Sequence, residues 1–76
     1  MERFFFDLVS NPRSEYDFRG RECSSSEHAL QMAELIALDL ALRSEGEWSG
    51  WAVKVRSSDG KHFFSVPVRP IDLVAA

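Results

Sequence analysis

Residues 51–68, WAVKVRSSDGKHFFSVPV, are the stretch that decides the fold. Apolar and polar side chains alternate in Trp51–Arg56 and again in His62–Val68, which is the period of a half-buried β-strand. Between the two runs, Asp59-Gly60 tolerates the positive φ angles of a tight turn. The stretch therefore predicts an antiparallel hairpin with one apolar face that another element must cover.

The segment before this hairpin predicts the covering helix. A serine of the run Ser24-Ser25-Ser26 can cap the first turn while Glu27 reaches back to an early amide. The helix is expected to run to about Ser44, with Arg43 near its negative end and Gly46 suited to the C-terminal cap. At 100° per residue, one apolar stripe faces the sheet: Ala29, Met32, Ala33, Ile36, Ala37 and Leu40.

The remaining segments complete an α+β domain. Residues 4–9 predict a first strand with Phe4, Phe6 and Leu8 on one face, and a turn follows at residues 10–14. Residues 15–23 predict a short edge strand, in which Gly20 favours a bend or bulge. Pro67 and Pro70 cannot donate to a ladder, so the last strand either lies at an edge or ends there. We expect one domain over residues 1–76, with two layers, a small antiparallel sheet of three or four strands in the order ββαββ, and one helix across one face; residues 70–76 are expected to be loose.

Length and composition exclude several classes of protein. A chain of 76 residues forms one domain, so a cleft between two domains is excluded. A single cysteine, Cys23, rules out an internal disulfide. The longest apolar runs have four residues, far fewer than the roughly 20 needed to span a bilayer, and the N-terminus lacks the core of a secretion signal. We therefore expect a cytoplasmic protein with no membrane partner.

A second apolar stripe on the helix carries the main functional hypothesis. Leu35, Leu38 and Leu42 fall together on the flank away from the sheet, next to Gln31, Glu34 and Asp39. Such leucines can simply be solvated, because much of any protein surface is apolar. Three leucines in register at i, i+3 and i+7 instead favour a contact patch for another chain. The pattern predicts a non-catalytic interaction module, either a homodimer or an adaptor on a larger protein.

The charge distribution supports an alternative. The net charge is −3, but residues 22–47 hold six acids and one arginine, whereas residues 51–70 hold four cations and one acid. The outer sheet face would carry cations beside aromatic rings, as a single-stranded nucleic-acid platform does. Its candidate contacts are Phe5, Lys54, Arg56 and Phe63. The acidic total charge makes nucleic acid the less favoured partner.

No motif predicts catalysis, a cofactor or a metal site. Cys23 near the helix start could have a lowered thiol pKa, and the serines beside His28 could suggest a nucleophile and base, but helix capping already explains the serines. A small enzyme with Cys23 as nucleophile stays the third hypothesis. Asp17 and Glu22 bracket Gly20, a pattern more typical of a turn than of an acid–base pair. The carboxylates and His62 show no ligand spacing, and the glycines are too dispersed for a phosphate loop.

Several segments together resemble a known family. They are Arg3-Phe4-Phe5-Phe6-Asp7-Leu8, Asp17-Phe18-Arg19-Gly20-Arg21-Glu22, the helix alanines Ala29, Ala33 and Ala37, Val53-Lys54-Val55-Arg56 and Asp59-Gly60. In this combination the chain resembles the short bacterial proteins of domain-of-unknown-function family 6894, from Arg3 to about Val68. The resemblance implies a small stand-alone α+β domain and, because the family has no assigned activity, no particular function.

Overall fold

A computed structural model describes residues 1–43, 48–60 and 62–69, and for residues 62 and 63 it describes the backbone alone. The expectations for Ser44, Gly46 and residues 70–76 lie outside the described residues. The elements in chain order are β1 (Glu2–Val9), β2 (Ser14–Glu15), β3 (Arg21–Cys23), α1 (Ser26–Arg43), β4 (Ala52–Ser57) and β5 (His62–Pro67).

The described strands form one antiparallel sheet. Its order is β2-β1-β4-β5, and β3 also pairs with β1, on the edge that β2 occupies. The helix α1 packs across one face, chiefly over β4. The expected α+β class is confirmed, and β5 lies at an edge as the two prolines predict.

The second strand differs from the prediction. A short edge strand with a bend or bulge at Gly20 was expected over residues 15–23, and the structure has two shorter strands, β2 and β3, with a break between them. Glu15 lies opposite Leu8 and Arg21 lies opposite Phe4, so residues 16–20 face only residues 5–7. Two residues are in excess, and the segment bulges out of the ladder. Because the excess is an even number of residues, the alternation of side chains continues unchanged past the bulge. Arg21 and Cys23 therefore lie on the helix-facing side of the sheet.

The β4–β5 hairpin confirms the strongest local prediction. Gly60 has a φ of 89°, and its amide donates to the Ser57 carbonyl at 2.9 Å. The register shifts once, between Val55 and Arg56, where the ladder is irregular. The hairpin thus presents Val53 and Val55, both fully buried, to the helix.

The core lies between α1 and the sheet. Phe4 and Phe6 of β1 are buried with the valines of β4, while Leu8 packs partly against them. The helix contributes the predicted stripe: Ala29, Ala33, Ala37 and Leu40 are buried, and Met32 and Ile36 are partly buried. Alanines at the contact let the helix approach the sheet closely, because no long side chain separates the two backbones.

The start of α1 confirms the serine cap and corrects its partner. Ser25 Oγ accepts from the His28 amide at 3.1 Å. The reciprocal bond comes from His28 rather than Glu27, because His28 Nδ1 accepts from the Ser24 amide at 3.1 Å. The His28 ring therefore bonds the amide one residue before the cap, whereas the glutamate of a capping box bonds the amide of the cap residue itself. Among the described residues, no helix has both the length and the apolar content to cross a membrane.

Candidate functional site

The three leucines of the second helix stripe lie on the surface. Leu35, Leu38 and Leu42 have exposed fractions of 60%, 50% and 63%. The sheet covers the opposite flank of α1, so no described element packs over this one. We call these three residues the leucine patch. Large apolar side chains exposed side by side indicate a contact surface more strongly than isolated ones do.

The leucine patch continues into a groove between α1 and β5. The groove has a volume of about 260 Å³, and its apolar lining comes from Ala37, Leu38, Ala41, Val66 and Pro67. Leu38 belongs to both the patch and the groove. The apolar surface therefore extends from the helix to the edge strand of the sheet.

Charged side chains border this surface. Glu34 and Arg69 both line the groove, and neither forms an ion pair within the described part of the chain. Asp39 and Arg43 form an exposed i,i+4 pair, with 2.9 Å between Oδ2 and Nε. The border thus carries both signs of charge around an apolar centre.

The outer sheet face holds a partly buried ion pair that was not predicted from the sequence. Asp7 is fully buried, and its Oδ2 accepts from Arg56 Nε at 2.9 Å. Arg56 Nη2 also reaches Asp7 Oδ1 at 3.3 Å and the Asp17 carbonyl at 3.1 Å. The guanidinium carbon lies 4.5 Å from the centre of the Phe5 ring. The only sequence signal for this cluster is an acid interrupting an aromatic strand.

The nucleic-acid candidates are therefore only partly brought together. Phe5 and Arg56 are in contact, and Lys54 of β4 lies opposite Asp7 of β1 on the same face of the sheet. The side chain of Phe63 lies outside the described residues. The hydrogen bond to Asp7 raises the pKa of Arg56, and the guanidinium is already matched by a carboxylate.

Asp17 holds the bulge between β2 and β3 against β1. Its Oδ1 accepts from the amides of Arg19 and Gly20, each at 3.0 Å, and its Oδ2 accepts from the Phe6 amide at 3.1 Å. Burial raises the pKa of Asp17, but the three amide bonds outweigh it, so that the pKa lies below its ordinary value. The turn interpretation of this segment holds, and the acid serves as its hydrogen-bond acceptor.

A cavity of about 520 Å³ adjoins the bulge on the helix side. Phe6, Leu8, Ile36 and Leu40 form its apolar lining. Its charged lining consists of Asp17, Arg19, Arg21, Asp39 and Arg43. The sequence gives no signal for this site, because its residues come together only when the bulge and the last turns of α1 meet.

The residues considered for catalysis lie in the core and in the helix cap. Cys23 is buried, and its burial raises the pKa of its thiol, which lowers the thiolate fraction at neutral pH. His28 is part of the helix cap: its Nδ1 accepts from the Ser24 amide, and its own amide donates to Ser25 Oγ. Within the ranges described, no three histidine, cysteine, aspartate or glutamate side chains gather as a metal site would require.

The two tryptophans lie together at the start of β4. The Trp48 and Trp51 rings meet edge to face, with 4.9 Å between their centres. Both are partly buried and pack against the core. Both side chains have an intermediate exposure. Their contact closes the end of the core.

Comparison with protein-family models matches residues 3–69 to the family described as Domain of unknown function (DUF6894). Searches of curated proteins and of solved structures return no match. The matched range includes the aromatic β1, the bulge, α1 and the hairpin.

Proposed function

The chain belongs to the family described as Domain of unknown function (DUF6894), and from its surface we propose that it is a non-catalytic interaction module that forms a homodimer through the leucine patch. The observation that carries the proposal is the exposure of Leu35, Leu38 and Leu42, each at least half open to solvent on one flank of α1. Covering such a patch removes apolar area from water, which favours association.

The charge pattern favours a second copy as the occupant. Glu34 and Arg69 have opposite signs and line the same apolar groove. In a twofold dimer every contact between residue i of one copy and residue j of the other occurs twice, so an acid and a base on one patch can pair across the interface. The same patch then supplies both the apolar centre and the complementary charges.

The size of the patch sets the expected affinity. Burying the rest of each leucine is worth about 1 kcal/mol, or about 6 kcal/mol for the six leucines of a dimer. Association itself costs at least about 4 kcal/mol in lost translational and rotational freedom. The groove must therefore contribute a few kcal/mol as well, and we expect a weak dimer with a dissociation constant of tens of micromolar, or about −6 kcal/mol.

Sedimentation equilibrium over roughly 5–200 μM tests the proposal, because this range brackets a dissociation constant of tens of micromolar. We expect the wild-type mass to rise from one chain to two. Leu38→Glu should weaken the dimer at least about tenfold, because it places a charge in the apolar centre. Its unfolding midpoint should stay near that of wild type, since Leu38 is half exposed.

Phe18→Glu is the matched control. It makes a similar apolar-to-acid change at a side chain that is 87% exposed, on the bulge rather than the helix. We expect it to dimerise like wild type. A wild type that stays monomeric throughout the range, or a Leu38→Glu variant that dimerises normally, contradicts the proposal. A monomer that instead binds a larger protein through Leu38 indicates the adaptor.

The nucleic-acid alternative has less support. It requires Phe5, Lys54, Arg56 and Phe63 to be available to a strand, but Arg56 is bonded to Asp7 and lies over Phe5. Lys54 would then be the main cation available to a phosphate on this face. Titrating a fluorescent single-stranded oligonucleotide at low salt separates the two functions; we expect no binding at about 50 μM protein.

A further inference from the structure

The cavity beside the bulge exists because the sheet edge is interrupted there. A continuous strand alongside β1 would place side chains over Phe6 and Leu8 on the helix side. The two excess residues instead carry residues 16–20 out of the ladder, and Tyr16 and Phe18 point into solvent with exposed fractions of 57% and 87%. The space left is about 520 Å³, within the range of small-molecule sites.

The charges at this cavity do not balance. Three arginines line it, Arg19, Arg21 and Arg43, against the carboxylates of Asp17 and Asp39. Asp39 pairs with Arg43, and Asp17 is occupied by three backbone amides. Neither Arg19 nor Arg21 has a carboxylate within ion-pair distance among the residues described.

The strand register directs Arg21 to the helix side. Arg21 lies opposite Phe4, whose side chain is in the core, so the two side chains share one face of the sheet. Arg19 belongs to the bulge, where Gly20 turns the chain at a φ of 70°. Arg19 and Arg21 thus line the same cavity as Phe6 and Leu40, of which little surface is exposed.

We propose that this cavity binds a small organic anion, with an apolar body against Phe6, Leu8 and Leu40 and a carboxylate or phosphate group held by Arg19 and Arg21. Guanidinium groups bind both head groups through paired N–H donors. None of the three leucines of the patch lines this cavity, although the Asp39–Arg43 pair borders both surfaces.

Two-dimensional amide NMR of the ¹⁵N-labelled full chain tests the proposal, with phenyl phosphate as the probe. We expect saturable shifts at the amides of Gly20, Arg21, Ile36 and Leu40, all of which line the cavity. Benzoate should compete and benzyl alcohol should not, because the neutral alcohol has the ring without the charge. The relative affinities of phenyl phosphate and benzoate show which head group fits better.

Arg19→Gln and Arg21→Gln should each weaken binding about fivefold while the spectrum stays that of a folded chain. Arg13→Gln is the matched control, because Arg13 is an exposed arginine beside the tryptophans, outside the cavity. Absence of a saturable shift up to about 10 mM phenyl phosphate, a weak limit for a specific site, overturns the proposal. The proposal is also overturned if benzyl alcohol binds as tightly as phenyl phosphate, or if both arginine variants bind phenyl phosphate as wild type does. Shifts confined to the leucine patch overturn it as well.

Discussion

The Asp17 carboxylate accepts backbone hydrogen bonds where the β-ladder is interrupted. At the break between β2 and β3, the Phe6 amide has no strand partner, and Asp17 Oδ2 accepts its hydrogen bond at 3.1 Å. The other oxygen binds the two amides that turn the chain at Arg19 and Gly20. A buried amide without an acceptor is costly, so this one side chain lets the bulge exist.

The stability of the fold should depend on the ionisation of Asp17. Its folded pKa lies below the unfolded value of about 3.9, so its contribution is fully present above about pH 5 and is lost as pH falls through 3.9 towards the folded pKa. Asp17→Asn should lower the free energy of unfolding by about 1–2 kcal/mol at pH 7. The difference from wild type should shrink at pH 3.

Urea unfolding of both proteins at the two pH values measures this effect. Glu22→Gln serves as the control, because Glu22 is exposed and its nearest approach to Arg3 is 3.7 Å. A difference between wild type and Asp17→Asn that is the same at pH 7 and pH 3 would show that the amide bonds do not depend on the carboxylate charge.

Among the elements, the interrupted edge strand depends on Gly20. Gly20 has a φ of 70°, and a Cβ there would lie 2.8 Å from the Phe4 carbonyl oxygen and 2.9 Å from the Phe5 ring. The carbonyl is part of β1 and cannot move without disturbing the sheet. The bulge therefore needs both the left-handed backbone and the absence of a side chain.

Gly20→Ala should lower the free energy of unfolding by about 2–3 kcal/mol, combining backbone strain with a steric clash. Gly60→Ala is the matched control, because Gly60 has a φ of 89° with open space around it. It should cost about 1 kcal/mol, the strain alone. Urea denaturation compares the two, and equal losses would contradict a close contact between the bulge and β1.

The helix shows how one element can serve two surfaces. Its alanine stripe packs on the sheet, and the leucine patch lies on the flank that the sheet does not reach. The remaining polar positions border these stripes. A helix in a two-layer domain has a single intramolecular partner, so a second apolar stripe is available for another chain.

At the scale of the whole molecule, the labelling rate of the Cys23 thiol measures how often the core opens. The thiol is 1% exposed, and burial raises its pKa, so a disulfide reagent near pH 7 should label it slowly. We expect the labelling rate to increase with urea in proportion to the unfolded population. Rapid labelling of the native protein, equal to that of a free thiol, would contradict this burial and favour the Cys23 nucleophile hypothesis.

The sequence by itself determined the elements that have a periodic residue pattern, namely the helix and the strands of the hairpin. Alternation in residues 51–68, the Asp59-Gly60 turn and the helical stripe through Ala33 and Ala37 predict the hairpin, the helix and their buried faces. Each signal comes from neighbours a few residues apart, whose spacing is fixed by the geometry of one strand or one helix. For the same reason the exposed flank of Leu35, Leu38 and Leu42 could be predicted.

Only the tertiary structure decided where the polar groups meet. Asp7 and Arg56 are 49 residues apart, and the β1–β4 register brings them into one partly buried pair. The split of the edge strand and the cavity near Arg21 likewise follow from a two-residue mismatch between strands. Such contacts depend on register between distant segments, and periodicity within a single segment contains no information about that register.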